Sequence, residues 1–415
     1  MKRLRFPLAL AFLLVLAAAC GGGGQKGGAA TPGGTGTVGG GTQTAGAGTQ
    51  TMTVGAIGPA SGGAAPWGIA INRAATLFEE DTQKAGGVAI GDKKYLFKHV
   101  FYDTKGDVGE TATVTNRLVF QDGVKYIIGN AIGATCDAAE AITEPNNVLF
   151  TFICWGKTNL GPKKPHSFRS LIGPDEAAPM FYKWVSQQYP NVKTVALVSP
   201  NDQSGVDTSA AIKKAAPQFG LRVVADEGYQ RGTQEYTSLL TRILEKKPDM
   251  IDLSGSATGD GALILKQLHQ LGYKGKLAWL SMLDPVPVVK TAGTDATQGL
   301  IGIQGWDPKS DLSPQPLRDF ATRYEQRFGE PATIAAAAEY AAYEVITQAM
   351  AQTGSTDPTA VANAIAKIGT FKTVLGQVTI GGKDTYGIDR QFIYPMVVSE
   401  IQNGKSVPLA RVEPQ

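Results

Sequence analysis

The sequence predicts an α/β protein built as two doubly wound lobes of parallel sheet, with helices on both faces of each. Three observations predict it. The chain has 415 residues, more than one small core accommodates, so two domains are the default. From Met52 onward, short apolar runs of strand length alternate with helical patterns. Near residue 174 that alternation pauses and a second series begins at "FRSLIGPDEAAPMFYKWV".

The first twenty residues read as a secretory signal. Lys2, Arg3 and Arg5 precede an apolar run over 6–19, too short to span a bilayer, and then Cys20. This pattern resembles a bacterial lipoprotein signal, in which the cysteine after small residues becomes the lipidated N-terminus. Ala17 stands three before the cysteine, and the leucine usual there lies one place earlier, at Leu16. An ordinary cleaved signal with an incidental cysteine is the other reading. Residues 21–51 are dominated by Gly, Thr, Ala and Gln, with "GTQT" at 41–44 and again at 48–51. That composition buries no core and reads as a flexible tether with a reach of roughly 30 Å.

The folded body follows in order. "MTVGAIG" is an apolar strand. "WGIAINRAATLFEEDTQKAGG" is a helix with Ile71, Ala74, Ala75 and Phe78 on one face, ended by Gly86 and Gly87. "YLFKHVFYD" is a strand, with a helix near 107–121 after it. "VKYIIG", "NVLFTF", "TVALVS", "LRVVAD", "MIDLSG", "KLAWL" and "GLIGI" read as short buried strands, with helical patterns between most of them. Tyr236, Leu239, Leu240 and Ile243 form one apolar stripe. In open α/β sheets ligands bind beyond the carboxyl ends of the strands, so two such edges face to face make a cleft.

The loop in "YIIGNAIGATCDAAEAI", residues 126–142, has no charged side chain between strand and helix. Unpaired N–H groups at a helix start suit a carboxylate, and Gly133 lets a ligand approach the backbone. The loop therefore reads as a holder for the acid group of a small molecule, or as a tight turn with glycine for steric reasons. Cys136 and Cys154 each lie just past a predicted strand. Outside the cytoplasm such a pair usually bonds, contributing on the order of 3 kcal/mol; two packed thiols are the alternative.

Other chemistry is poorly represented. Removing Lys2, Arg3 and Arg5 from 39 basic residues leaves 36, matching the 36 acidic ones, so neither nucleic acid nor an anionic membrane surface is an expected partner. The membrane is expected to be met only through the lipid on Cys20. The three histidines, His99, His166 and His269, are not in metal-ligand spacing, and no metal is expected. There is no HExxH, GxSxG or P-loop, and "GSATGDG" at 255–261 lacks dinucleotide spacing. Cys136 has no evident histidine partner. Neither enzyme activity nor a cofactor is expected.

From about Val54 to the C-terminus the chain resembles the periplasmic binding proteins for branched-chain amino acids of ABC importers. The phrases that carry the resemblance, in order, are "IGPASGGAAPWG", "AGGVAIGDKKYLFKHVFYDTKGD", "LVFQDGVKYIIGNAIG", "FRSLIGPD", "VALVSPNDQSGVD", "LLTRILEKKPDMI", "LKQLHQLGYKGKLAWL" and "AAAAEYAAYEVITQAM". The resemblance implies a type I periplasmic binding protein fold, with two lobes joined by three crossing segments and closing by hinge motion. It implies one lobe of 52–174 and 307–377 and another of 175–306 and 378–415. The expected function is to bind an amino acid or related small carboxylate and deliver it to a membrane permease. A ligand-sensing receptor of the same fold, feeding a signalling partner, is the alternative.

The resemblance also implies site residues. The carboxylate-binding place falls at Ala131, Ile132, Gly133 and Ala134, with Gly133 where relatives have serine. The next loop contributes Cys154, Trp155 and Gly156. Asp175 matches an aspartate that binds an ammonium group, and also suits the N-cap of the following helix. Ser204 replaces a tyrosine, Asp284 matches a further acid, and Trp67 stands where an aromatic covers the ligand or belongs to the core. The family's hydroxyls are thus largely replaced, and each buried partner lost costs about 1–3 kcal/mol. Backbone donors take their place, or the ligand is another amino acid or a less polar carboxylate such as an aromatic acid.

Overall fold

The computed structural model describes residues 48–280, 285–304 and 310–414. Cys20, the tether up to residue 47, and Asp284 lie outside the described residues. Among those described, no helix is long and apolar enough to cross a membrane.

The chain first lays down β1 (Thr49–Gly58), β2 (Val88–Ile90), β3 (Lys93–Asp103), β4 (Tyr126–Gly129), β5 (Leu149–Phe152) and β6 (Ser167–Arg169). It then builds β7 (Thr194–Pro200), β8 (Arg222–Tyr229), β9 (Met250–Asp252), β10 (Lys276–Trp279) and β11 (Ile301–Gln304). Five strands close the sequence: β12 (Thr370–Thr373), β13 (Gly376–Gly381), β14 (Gln391–Ile393), β15 (Met396–Gln402) and β16 (Lys405–Val412). One sheet runs β12-β13-β14-β6-β5-β4-β1-β3-β2 and the other β16-β15-β11-β10-β9-β7-β8. These are the two lobes.

The two sheets have parallel centres, as expected of doubly wound lobes, and carry antiparallel strands as well. β1, β3, β4, β5 and β6 pair in parallel, whereas β2–β3, β12–β13 and β15–β16 are antiparallel. The connections at 91–92, 374–375 and 403–404 hold two residues each, and a parallel pair needs a crossover of a dozen or more. Asn403 and Gly404 both have positive φ, 51° and 75°, as a tight hairpin turn requires.

Two boundaries also differ. β1 begins at Thr49 rather than Met52, because Thr49, Gln50 and Thr51 pair along Lys94, Tyr95 and Leu96 through backbone groups that their polar side chains do not disturb. The third crossing falls between β14 and β15, not at 377/378: β13 and β14 pair within the first sheet, and β14 is bonded to β6.

Helices α1 (Ala65–Lys84), α2 (Val108–Asn116) and α3 (Gly133–Thr143) flank the first sheet's strands, and α4 (Pro174–Gln188) and α5 (Gln203–Ala215) open the second lobe. The expected helix near 107–121 is α2 continued by a wider turn over Arg117–Gln121. The helix Ile334–Thr353 is buried on almost every face, as its run of alanines allows. It packs on α1, where Phe78 stacks on Tyr343 at 4.7 Å.

Candidate functional site

The carboxyl ends of β1, β4, β5 and β6 carry the loops that the sequence singled out. At the end of β4, Gly129 and Asn130 both have positive φ, 114° and 96°, and turn the chain sharply. Asn130 is fully buried and its side-chain oxygen accepts from the Ala131 N–H at 3.1 Å. Ile132 is the extended N-cap of α3 and supplies no side-chain cap. Its carbonyl takes the N–H groups of Thr135 and Cys136, both at 2.9 Å. The N–H groups of Gly133 and Ala134, at the positive end of the helix, have no acceptor among the described residues.

The loop after β5 lies against this helix start. The Ile153 N–H donates to the Asn130 carbonyl at 3.0 Å. The Gly156 nitrogen is 3.8 Å from where a Cβ on Gly133 would stand. A disulfide joins Cys136 to Cys154, both fully buried, and ties the first turn of α3 to the second loop. Trp155 is half-buried against the main core, and its indole N–H is enclosed without an acceptor. Trp67 is half-buried in the first turn of α1 and also packs on the core.

Asp175 is not the N-cap of α4. Gly173 holds that position and Pro174 the first helical one, where proline's missing N–H costs nothing. Asp175 follows in the first turn, its side chain 7% exposed, and pairs with the Lys157 ammonium at 3.6 Å. Ser204 lies across, in the first turn of α5. Its hydroxyl donates to Asp202 at 2.8 Å and accepts from Arg231 at 2.7 Å. Arg231 also pairs with Asp202 and donates to the Gly255 carbonyl at 3.1 Å. Burial opposes charge on Asp202, but the bonds from Arg231, Gly205 and Ser204 prevail and hold its carboxyl below the ordinary value.

Three residues escaped the sequence reading. Lys157 follows Gly156, and besides its ammonium its main-chain N–H reaches the second lobe, donating to Asp207 at 3.0 Å. Asp207, also bonded by Gln203, is the second missed residue. Arg169 is the third, fully buried at the end of β6, donating to Gln391 at 2.5 Å and to the Gly156 carbonyl at 3.4 Å, with its guanidinium 4.9 Å from the Tyr386 ring centre. A basic residue ending an otherwise apolar strand was the available signal for Arg169. None existed for Lys157 and Asp207, which meet only across the lobes.

His99 lies between Glu79 and Asn72, and His166 between Glu144 and Thr359. Among the described residues no group of three or more His, Cys, Asp or Glu is placed to hold a metal. The loops after β4 and β5 thus bring together backbone donors, the Trp155 indole and, through Lys157, carboxylates that already have partners.

Comparison with known proteins agrees with the two-lobed fold. The profile of the periplasmic binding protein family matches residues 51–406. The leucine-, isoleucine-, valine-, threonine- and alanine-binding protein of Pseudomonas aeruginosa is 24% identical over 77% of this chain and 83% of its own. The crystal structure of the leucine-binding protein LivK from Thermotoga maritima superposes with a TM-score of 0.73 at 22% identity, covering 88% of this chain and 99% of that one. A solute-binding protein of an R. palustris ABC transporter, in complex with benzoate, gives 0.69 at 19% identity, over 88% and 98%. The chain therefore belongs to the periplasmic binding protein family and is an extracytoplasmic solute-binding protein.

Proposed function

We propose that the cleft binds a small organic carboxylate, an amino acid or a relative of one, and that the closed protein presents it to an ABC permease. The observation that carries the ligand reading is the pair of unaccepted N–H groups at Gly133 and Ala134, set beside the Gly156 loop and pinned by the disulfide. The names of the relatives support it, since they bind aliphatic amino acids in one case and benzoate in another. Ala131, Ile132, Gly133, Ala134, Trp155 and Gly156 form the first-lobe wall in this reading, with Trp67 at its edge. Ser204 belongs to the opposite wall, acting through Arg231 and Asp202. Lipidated Cys20 and the tether hold this body at the outer face of a membrane.

A melting panel of aliphatic and aromatic carboxylates and amino acids tests the reading. A ligand present at 100 times its Kd stabilises the protein by about 2.7 kcal/mol. No shift across the whole panel would remove the carboxylate assignment. Mass spectrometry of the protein extracted from membranes should find Cys20 at the N-terminus carrying a lipid; an unmodified cysteine or a terminus elsewhere counts against the anchor.

A further inference from the structure

Lys157 makes two bonds to the second lobe from one position. Its main-chain N–H binds Asp207 of α5 at 3.0 Å, and its ammonium binds Asp175 of α4 at 3.6 Å. Both carboxylates thereby have cationic or N–H partners from the chain itself. Gln203 adds a second donor to Asp207 at 2.8 Å, and Arg231, Ser204 and Gly205 satisfy Asp202. Around the same gap the groups without a partner are mainly donors: the Gly133 and Ala134 N–H groups and the indole N–H of Trp155. Asn159 Oδ1, also without a partner, is a neutral oxygen buried against Gly156.

We propose that Lys157 is a specificity-determining residue that makes the cleft select a carboxylate lacking an α-ammonium group. The inference rests on the carboxylate reading above and narrows it. A carboxylate alone needs only donors, and donors are what the gap leaves unmatched. An α-amino acid brings a second charge, whose natural partner, Asp175, is held by Lys157. Seating that ammonium sets it against the lysine's own, which is half-exposed beside the buried Asp175, and like charges a few ångströms apart repel even where water screens one of them. Displacing the Lys157 ammonium instead gives up its ion pair with Asp175, while the main-chain N–H keeps its bond to Asp207. Either route penalises the zwitterion and spares the simple acid.

Titration calorimetry on the mature protein tests this with matched pairs: 4-methylpentanoate against leucine, and 3-phenylpropanoate against phenylalanine. The acid of at least one pair should bind about tenfold or more tighter than its amino acid. Lys157→Met, whose side chain is of similar length, should shrink that ratio or invert it, while Lys157→Arg should retain it. Leucine or phenylalanine binding as tightly as its acid overturns the inference and leaves the carboxylate reading standing. So does an unchanged ratio in Lys157→Met, once its melting curve shows it folded. Binding of neither member of either pair overturns both readings together.

Discussion

Breaking the Cys136–Cys154 bond should destabilise the body and loosen the ligand site at once. The two cysteines are 18 residues apart in sequence. Closing a loop of that length removes about 11 cal/mol/K from the unfolded chain, or about 3 kcal/mol near room temperature. For a folded body of roughly 370 residues, the entropy of unfolding is about 0.8 kcal/mol/K, so the melting temperature should fall by about 4 °C. The site should respond as well, because the bond joins the first turn of α3, with its free N–H groups, to the Trp155–Gly156 loop. The clean comparison is oxidised protein against protein refolded under reductant, since both side chains are fully buried and substitution adds a cavity cost of its own. Calorimetric melting with and without a bound carboxylate measures both effects. Oxidised and reduced forms that melt together and bind ligand equally would refute the reasoning. So would a mass spectrum of unreduced protein, denatured and treated with an alkylating reagent, showing both cysteines alkylated.

Asp207→Ala removes the acceptor of the Lys157 N–H; a hydrogen bond to a charged group is worth about 1.5–3 kcal/mol, so ligand affinity should fall roughly tenfold or more, and unchanged affinity by calorimetry would show that this bond does not help close the lobes. Glu339 is fully buried; burial raises its carboxyl to about 8 despite a hydrogen bond from Ser170. The folded state therefore holds a proton that the unfolded state releases above about 4.5, so stability should fall as pH rises from there to about 8 and level off beyond. Glu339→Gln should flatten that part of the profile in urea titrations, and an identical pH dependence would assign the slope to other groups. A Cβ on Gly205 would overlap the Pro200 carbonyl, so Gly205→Ala should cost about 1–3 kcal/mol in urea unfolding; a neutral result would mean that α5 does not press on the end of β7 as closely as it is placed.

Much of the fold was legible because its strands are apolar on both faces and its helices striped. "MTVGAIG", "VKYIIG", "NVLFTF" and "TVALVS" became β1, β4, β5 and β7 for that reason. The C-terminal strands β12 to β16 carry mixed patterns such as "GQVTIG" and "KSVPLARV" that no apolar run marks, and only the Asn403–Gly404 turn signals one of their hairpins. That weak signal is also why the third crossing was placed too early. At the site, residues whose role is local could be read from the chain. Gly133 opens a helix without a capping side chain, and the two cysteines follow strand ends.

What the sequence determined by itself was therefore the α/β class, the two lobes, the secreted character and the bare helix start, since each depends on neighbours within a few residues. The tertiary structure alone decided which charges the gap retains. Asp175 meets Lys157, and Lys157 meets Asp207, 50 residues away, only when α4 and α5 are brought against the loop after β5. Electrostatic pairing depends on distance in space, and no periodicity along the chain encodes it.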